Sequence, residues 1–266
     1  MAVAALRKGK RSRGVELLAR PGLVAKGVSY AIVGGLAIDV AVGGGGMATS
    51  RQGALAAIAT TTLGKVLLVL LALGFAAYAL WRVAEAFSAD GDHAVLKALG
   101  ALGRAAIYAG LTFSAIEILA GSGGGGSQTA KAHKATAHVL SWPGGTWIVG
   151  IAGACVLGAG LYNAYRGVTK KFAKRWNANA MGVKARRWGE RAGVVGLLAR
   201  AVVFGLIGVF VIKAAVDYDP KDAIGLDGAL QKLANQTYGE WLLGLTAAGL
   251  VAYAVFCFAE SRYRRV

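Results

Sequence analysis

Six apolar stretches govern what this chain can become: about Gly22–Val42, Leu63–Phe87, Gly100–Ala120, Thr146–Arg166, Ala192–Val216 and Tyr238–Glu260. A hydrocarbon core of about 30 Å takes roughly 20 residues of α-helix at about 1.5 Å per residue, and each stretch reaches that length. Strands of a membrane barrel need only about ten residues and alternate in polarity. These runs are longer and do not alternate. Charged residues make up 16% of the chain and hydrophobic residues 56%, with a mean hydropathy of +0.54. A soluble domain carries about 25% charge. That balance excludes disorder and disfavours a soluble enzyme. The expected class is an all-α integral membrane protein with six transmembrane helices.

The excess of base over acid is placed unevenly. With the first span entering from inside, only Arg51, Lys65, Lys131, Lys134, Lys213, Lys221 and Lys232 fall on the outer side. The other Lys and Arg residues fall on the inner side, and the acidic run Asp217, Asp219, Asp222 and Asp227 falls outside. Lys and Arg flank spans on the cytoplasmic face, so both termini are expected in the cytoplasm and the protein in the bacterial plasma membrane. The first run exceeds the 7–15 apolar residues or so of a signal peptide and is read as a retained span.

The spans repeat. Lys26-Gly-Val-Ser-Tyr30, Arg104-Ala-Ala-Ile-Tyr108 and Arg200-Ala-Val-Val-Phe204 each set a cation four residues before a ring. Asp39, Glu117 and Lys213 follow at a matching interval. In the partner spans, Gly74-Phe-Ala-Ala-Tyr78, Gly158-Ala-Gly-Leu-Tyr162 and Gly249-Leu-Val-Ala-Tyr253 correspond. The connectors Gly53–Ala59, Thr129–Ala135 and Gly228–Ala234 read as short outer helices, approached in the first two copies by the glycine-rich runs 43–46 and 121–126. Two spans per unit insert every copy in the same sense. The expected fold is three tandem helical-hairpin repeats with pseudo-threefold symmetry about the membrane normal. The divisions are a basic cytoplasmic tail at 1–17, repeats at 18–90, 91–165 and 192–260, a basic amphipathic linker at 166–191 and a basic tail at 261–266.

The basic residue, Gly and Tyr of the first span, the Gln52–Leu55 connector and the run Gly74-Phe-Ala-Ala-Tyr-Ala-Leu-Trp-Arg82 resemble the bacterial membrane family called domain of unknown function 1206. The resemblance covers about residues 18–260 as three copies. It implies an inner-membrane protein and no activity. The middle copy departs most, with Lys131, His133 and Asn163.

Ionisable groups within a span cost about 2.5–3.5 kcal/mol each on insertion scales and are candidate functional groups. Asp39, Glu117 and Lys213 form a candidate outer polar layer. Turned inward, they would bring two carboxylates to one ammonium. Lys26, Arg104 and Arg200, with Tyr78, Tyr162 and Tyr253, form a candidate inner layer in which cation–π or hydroxyl contacts satisfy polar groups. Arg82 with Glu85, and Arg166, read as solvated anchors. Gly74, Gly158 and Gly249 read as small residues that let backbones approach. Lys170, Lys171, Lys174, Arg175, Lys184, Arg186, Arg187 and Arg191, interleaved with Phe172, Trp176 and Trp188, read as a basic amphipathic surface helix for anionic headgroups.

His133 and His138 do not have the four-residue spacing of helical metal ligands. No metal and no cofactor are expected. Cys155 and Cys257 read as buried small hydrophobes. No nucleophile sits beside a base, so the chain reads as no enzyme. Nucleic acid is not an expected partner, because membrane topology already accounts for the charge. Membrane lipids are, and so is a membrane protein. The favoured function is an accessory or structural protein that organises lipids or a partner. The alternative is a small conductor or carrier of protons, ions or a solute, using the outer layer.

Overall fold

The computed structural model describes residues 2–42, 62–87, 94–120, 127–176 and 181–263, except for the side chains of 2–19, 62–64, 96–97 and 174–175. The described residues form α1 Ala2–Ala41, α2 Thr62–Phe87, α3 Ala94–Leu119, α4 Gln128–Leu140, α5 Gly145–Val168, α6 Val183–Val216, α7 Leu226–Ala234 and α8 Gly239–Tyr263. Among them is no strand. Six helices are long and apolar enough to cross a membrane: Arg20–Ala41, Lys65–Phe87, Ala98–Leu119, Gly145–Val168, Val183–Val216 and Gly239–Tyr263. Each coincides with an expected span. The first connector and both glycine-rich runs lie outside the described residues.

The helices pack in cyclic order. The second span of each hairpin lies against the first span of the next: α2 on α3, α5 on α6, and α8 back on α1. Within hairpins, α1 packs on α2 and α6 on α8. The middle hairpin breaks the pattern, because α3 and α5 scarcely touch among the described residues. Among the described residues the ring is closed except at that joint.

Glycine explains both the closed and the open contacts. A Cβ at Gly74 would sit 2.4 Å from Ala25 Cβ, and one at Gly249 would sit 2.4 Å from Ala199 Cβ. Only glycine permits those backbones to lie so close. The corresponding residues of the middle hairpin are Gly103 and Gly158. A Cβ on either meets nothing within 4 Å. α5 instead rides on α6 through Gly153, Gly160 and Gly167, which are buried on one of its faces. A Cβ at Gly153 would lie 2.8 Å from Ile212, and one at Gly208 would lie 2.6 Å from the backbone nitrogen of Leu157.

The apolar core is divided. One cluster joins α1, α6 and α8 around Leu197, Leu250, Tyr253 and Phe256. A second joins α1, α2 and α3 around Leu71, Phe75, Tyr78 and Tyr108. Both clusters border the ring's interior, while α5 contributes mainly glycines. Cys257 is buried as expected, but Cys155 is exposed on α5, because that helix buries a glycine face instead.

On the connector side of the bundle, α4 and α7 are locked together. Asp227 Oδ1 accepts from Thr129 N at 3.0 Å and from Thr129 Oγ1 at 2.8 Å. That carboxylate caps the first turn of α4, where orphan amides and the helix dipole favour an anion. Thr129 Oγ1 in turn accepts from Gly225 N and Gly228 N, at 2.9 and 3.1 Å. The apolar face of α7 is buried in the bundle through Leu226, Ala229, Leu230 and Leu233. The opposite side, carrying the 166–191 segment, is called the basic side below.

Candidate functional site

Three sets of polar residues were legible in the sequence, and the structure treats each differently. The outer set is not brought together. Asp39 is exposed. Glu117 Oε2 lies 3.7 Å from Lys131 Nζ, which also donates to Ser114 Oγ at 2.9 Å. Lys213 is exposed and pairs with Asp217 at 3.2 Å and Asp222 at 2.8 Å. Glu117 and Lys213 have each found a different partner, and Asp39 is left exposed. Lys213 does hold two carboxylates, but they are Asp217 and Asp222 rather than the expected Asp39 and Glu117.

The basic segment also differs from expectation. Two devices replace the single surface helix. A 3-10 turn spans Lys171–Arg175, and α6 then starts at Val183 and runs unbroken into the membrane span. Phe172 and Trp176 are buried rather than laid on lipid. The Phe172 ring meets Phe256 edge-on at 5.1 Å, and Trp176 lies 6.0 Å from the same ring. Burying those rings against α8 outweighs keeping them at the interface. Lys170, Lys171, Lys184, Arg186, Arg187 and Arg191 are exposed as expected. The side chains of Lys174 and Arg175 lie outside the described residues.

The inner set converges. Lys26, Tyr78, Arg104, Tyr162, Arg200 and Tyr253 all line one cavity of about 1100 Å³ inside the helix ring. Arg200 Nη1 donates to Tyr253 Oη at 2.5 Å, and its guanidinium carbon lies 4.5 Å from the centroid of that ring and 5.3 Å from Tyr30. Tyr30 meets Tyr253 edge-on at 4.8 Å. Lys26, on α1, sits between the two hairpins, with Nζ 5.1 Å from the Tyr253 centroid and 5.8 Å from that of Tyr78. Its relative exposure is 9%. Among the described residues its ammonium has rings for close neighbours, with no hydrogen-bond or ion-pair partner.

Three further cavity residues were not foreseen in this role. Arg82, a solvated anchor by its sequence position, is only 8% exposed. It donates to Tyr78 Oη at 2.5 Å, lies 4.3 Å from the Trp81 centroid and pairs with Glu85. Its spacing of four from Tyr78 puts both on one helix face, and that was the signal available. Arg166, the other expected anchor, lines the cavity with its guanidinium 5.9 Å from the Tyr162 centroid. Buried Asn163 adds a neutral polar group to the same wall. Glu85 and Glu260 are the acidic lining residues. The wall is therefore cationic on the basic side. Toward the middle it turns apolar, with Ile107, Leu111, Val203, Ile207 and Leu250, and Ser114, Gln128 and Lys131 close the connector side.

Three separate segments match the family profile described as Domain of Unknown Function (DUF1206), at residues 22–89, 99–170 and 195–264. A relative from Bacillus subtilis (strain 168), described as Uncharacterized protein YxxB, is 30% identical over 257 residues, covering 95% of this chain and 92% of its own. No solved structure matches.

Proposed function

The chain belongs to the domain of unknown function 1206 family, and from that premise we propose a non-catalytic accessory membrane protein that organises anionic lipids, or a membrane partner, from its basic side. The proposal includes residence in the plasma membrane with that side cytoplasmic. The observation that carries it is the convergence of Lys26, Arg82, Arg104, Arg166 and Arg200 on one cavity. The exposed bases Lys184, Arg186 and Arg187 at the start of α6 support it. Each base near an anionic surface contributes about 1 kcal/mol of attraction. The conductor reading depends on a continuous outer layer, and the local pairings of Glu117 and Lys213 weigh against one.

The test is lipid composition. Protein extracted from its membrane in polymer-bounded discs should carry more anionic lipid than the bulk membrane. Replacing Lys184, Arg186 and Arg187 by Gln should reduce that enrichment. Discs with bulk composition would remove the proposal. Proton flux into proteoliposomes separates the alternative: flux that falls on Glu117→Gln would favour conduction.

A further inference from the structure

The cavity has an entrance, and it lies on the lipid-facing flank. Among its lining residues, the exposed ones are Arg104, Ile107 and Gly110 of α3, Ala159 and Tyr162 of α5, and Lys131 of α4. The walls contributed by α1, α2 and α8 are buried or half-buried. The opening therefore follows the seam between α3 and α5, where Gly103 and Gly158 face empty space. A gap between two membrane spans admits molecules from the bilayer. Its polarity is graded along the membrane normal, with bases at one depth and apolar side chains beside them.

Two cations facing the cavity, Lys26 and Arg200, have no acidic partner within ion-pair distance among the described residues. The Lys26 ammonium is nine-tenths buried and faces the cavity with no carboxylate at ion-pair distance among the described residues. Among the described residues Arg200 Nε is buried with no hydrogen-bond partner, as is Arg82 Nε, although Glu85 already offsets the charge of Arg82. An uncompensated buried charge is costly unless it is paired. The acids on this wall do not balance the bases: Glu85 and Glu260 face Lys26, Arg82, Arg104, Arg166 and Arg200, and Glu85 is engaged by Arg82.

We propose that this cavity is a binding site for a membrane amphiphile with a phosphate-like anionic headgroup, admitted sideways between α3 and α5. The headgroup sits among Lys26, Arg104, Arg166 and Arg200. Its chain lies along Ile107, Leu111, Val203 and Leu250 and leaves through the seam. The inference rests on the lipid-organising reading and narrows it to one molecule at one site. Free phosphate shares the headgroup chemistry but not the chain, and it has no use for the apolar half of the cavity.

The experiment is native mass spectrometry of the detergent-purified full chain, titrated separately with phosphatidylglycerol, phosphatidylcholine and inorganic phosphate. One phosphatidylglycerol should resist delipidation, while phosphatidylcholine and inorganic phosphate should not be retained. Arg104→Gln with Arg166→Gln, both at the open edge, should weaken retention about thirtyfold, since two bases are removed. Gly158→Phe should slow uptake of phosphatidylglycerol from vesicles without abolishing it. Lys26→Gln should weaken retention too, and circular dichroism separates loss of fold from loss of site. Equal retention of phosphatidylcholine, displacement of the lipid by inorganic phosphate, or wild-type retention by the Arg104/Arg166 variant would each overturn the proposal. The Lys184/Arg186/Arg187 variant keeps the two readings apart. It should lower the loosely held anionic lipid and leave the retained molecule in place.

Discussion

Replacing each of three corresponding glycines by alanine gives the sharpest test of the packing scheme. At Gly74 the new Cβ would stand 2.4 Å from Ala25 Cβ and 3.3 Å from the Pro21 carbonyl oxygen. At Gly249 it would stand 2.4 Å from Ala199 Cβ. Carbon atoms pack best about 3.5–4.0 Å apart, so each helix pair must separate by about 1.1–1.6 Å. Forcing an added methyl into a filled contact costs about 1–3 kcal/mol. Alanine also favours the helix over glycine by about 1 kcal/mol, and that gain is common to all three sites. At Gly158 nothing lies within 4 Å of the new carbon, so only the gain remains. Gly74→Ala and Gly249→Ala should thus be about 1–3 kcal/mol less stable than Gly158→Ala. At about 2–4 °C per kcal/mol for a chain of this size, their melting points should fall roughly 2–12 °C below it. Thermal unfolding in detergent, followed by tryptophan fluorescence and the loss of the monodisperse peak, measures the difference. Three equal melting points would refute the reasoning, because they would mean that the middle seam is packed like the other two.

Other variants probe other joints. Phe172→Ala empties a site 1% exposed between Trp176 and Phe256; a loss of about 3–5 kcal/mol is expected, with Phe172→Leu losing less in the same thermal assay. Asp227→Asn removes the charged acceptor that caps α4. A hydrogen bond to a charged group contributes about 1.5–3 kcal/mol, so hydrogen-exchange protection of the Thr129 amide should drop about ten- to hundredfold; unchanged protection would show that the α4–α7 lock is unimportant. A membrane-permeant maleimide should label Cys155, exposed on a membrane-spanning helix, before buried Cys257, and slowly, because lipid disfavours the reactive thiolate; Cys257 should label only after unfolding, as peptide mapping would reveal.

Much of the architecture was legible because the bilayer imposes a length and repetition imposes a pattern. The six spans stand out by run length. The recurrence of Gly74, Gly158 and Gly249, and of Tyr78, Tyr162 and Tyr253, marks the copies without any knowledge of their contacts. The inner layer was legible for the same reason, since a cation four residues before a ring recurs at one depth. Partners were not legible. Lys213 reaches Asp217 one turn later on its own helix and Asp222 beyond it, so a symmetric layer never forms. Lys131 comes from α4, an element that repetition alone does not position, and it claims Glu117. In the 166–191 segment the aromatic residues fit an interfacial pattern as well as a buried one. Only Phe256, far along the chain, decides between them.

The opening in the ring follows from the same comparison of copies. Gly103 and Gly158 are a smaller pair than Ala25 with Gly74 or Ala199 with Gly249, so size alone would allow α3 and α5 the closest approach of all. What differs is the polar layer beside them. Lys26 turns toward the Tyr78 and Tyr253 rings, and Arg200 toward Tyr30 and Tyr253. In those hairpins a cation is absorbed by buried aromatic faces, and the helices close over it. In the middle hairpin Tyr162 is 58% exposed and Arg104 is exposed as well. Its neighbours on the cavity wall are Asn163, a neutral amide, and Arg166, which repeats Arg82 but has Thr169 where Arg82 has its partner Glu85. Closing α3 onto α5 would press Arg104 and Arg166 together in a medium where like charges repel strongly. The repulsion is relieved by an anion between them or by keeping the seam apart. The copy whose sequence departs most is therefore the one whose hairpin stands open, and its departures are polar substitutions on the cavity wall rather than bulky ones at the glycine contact.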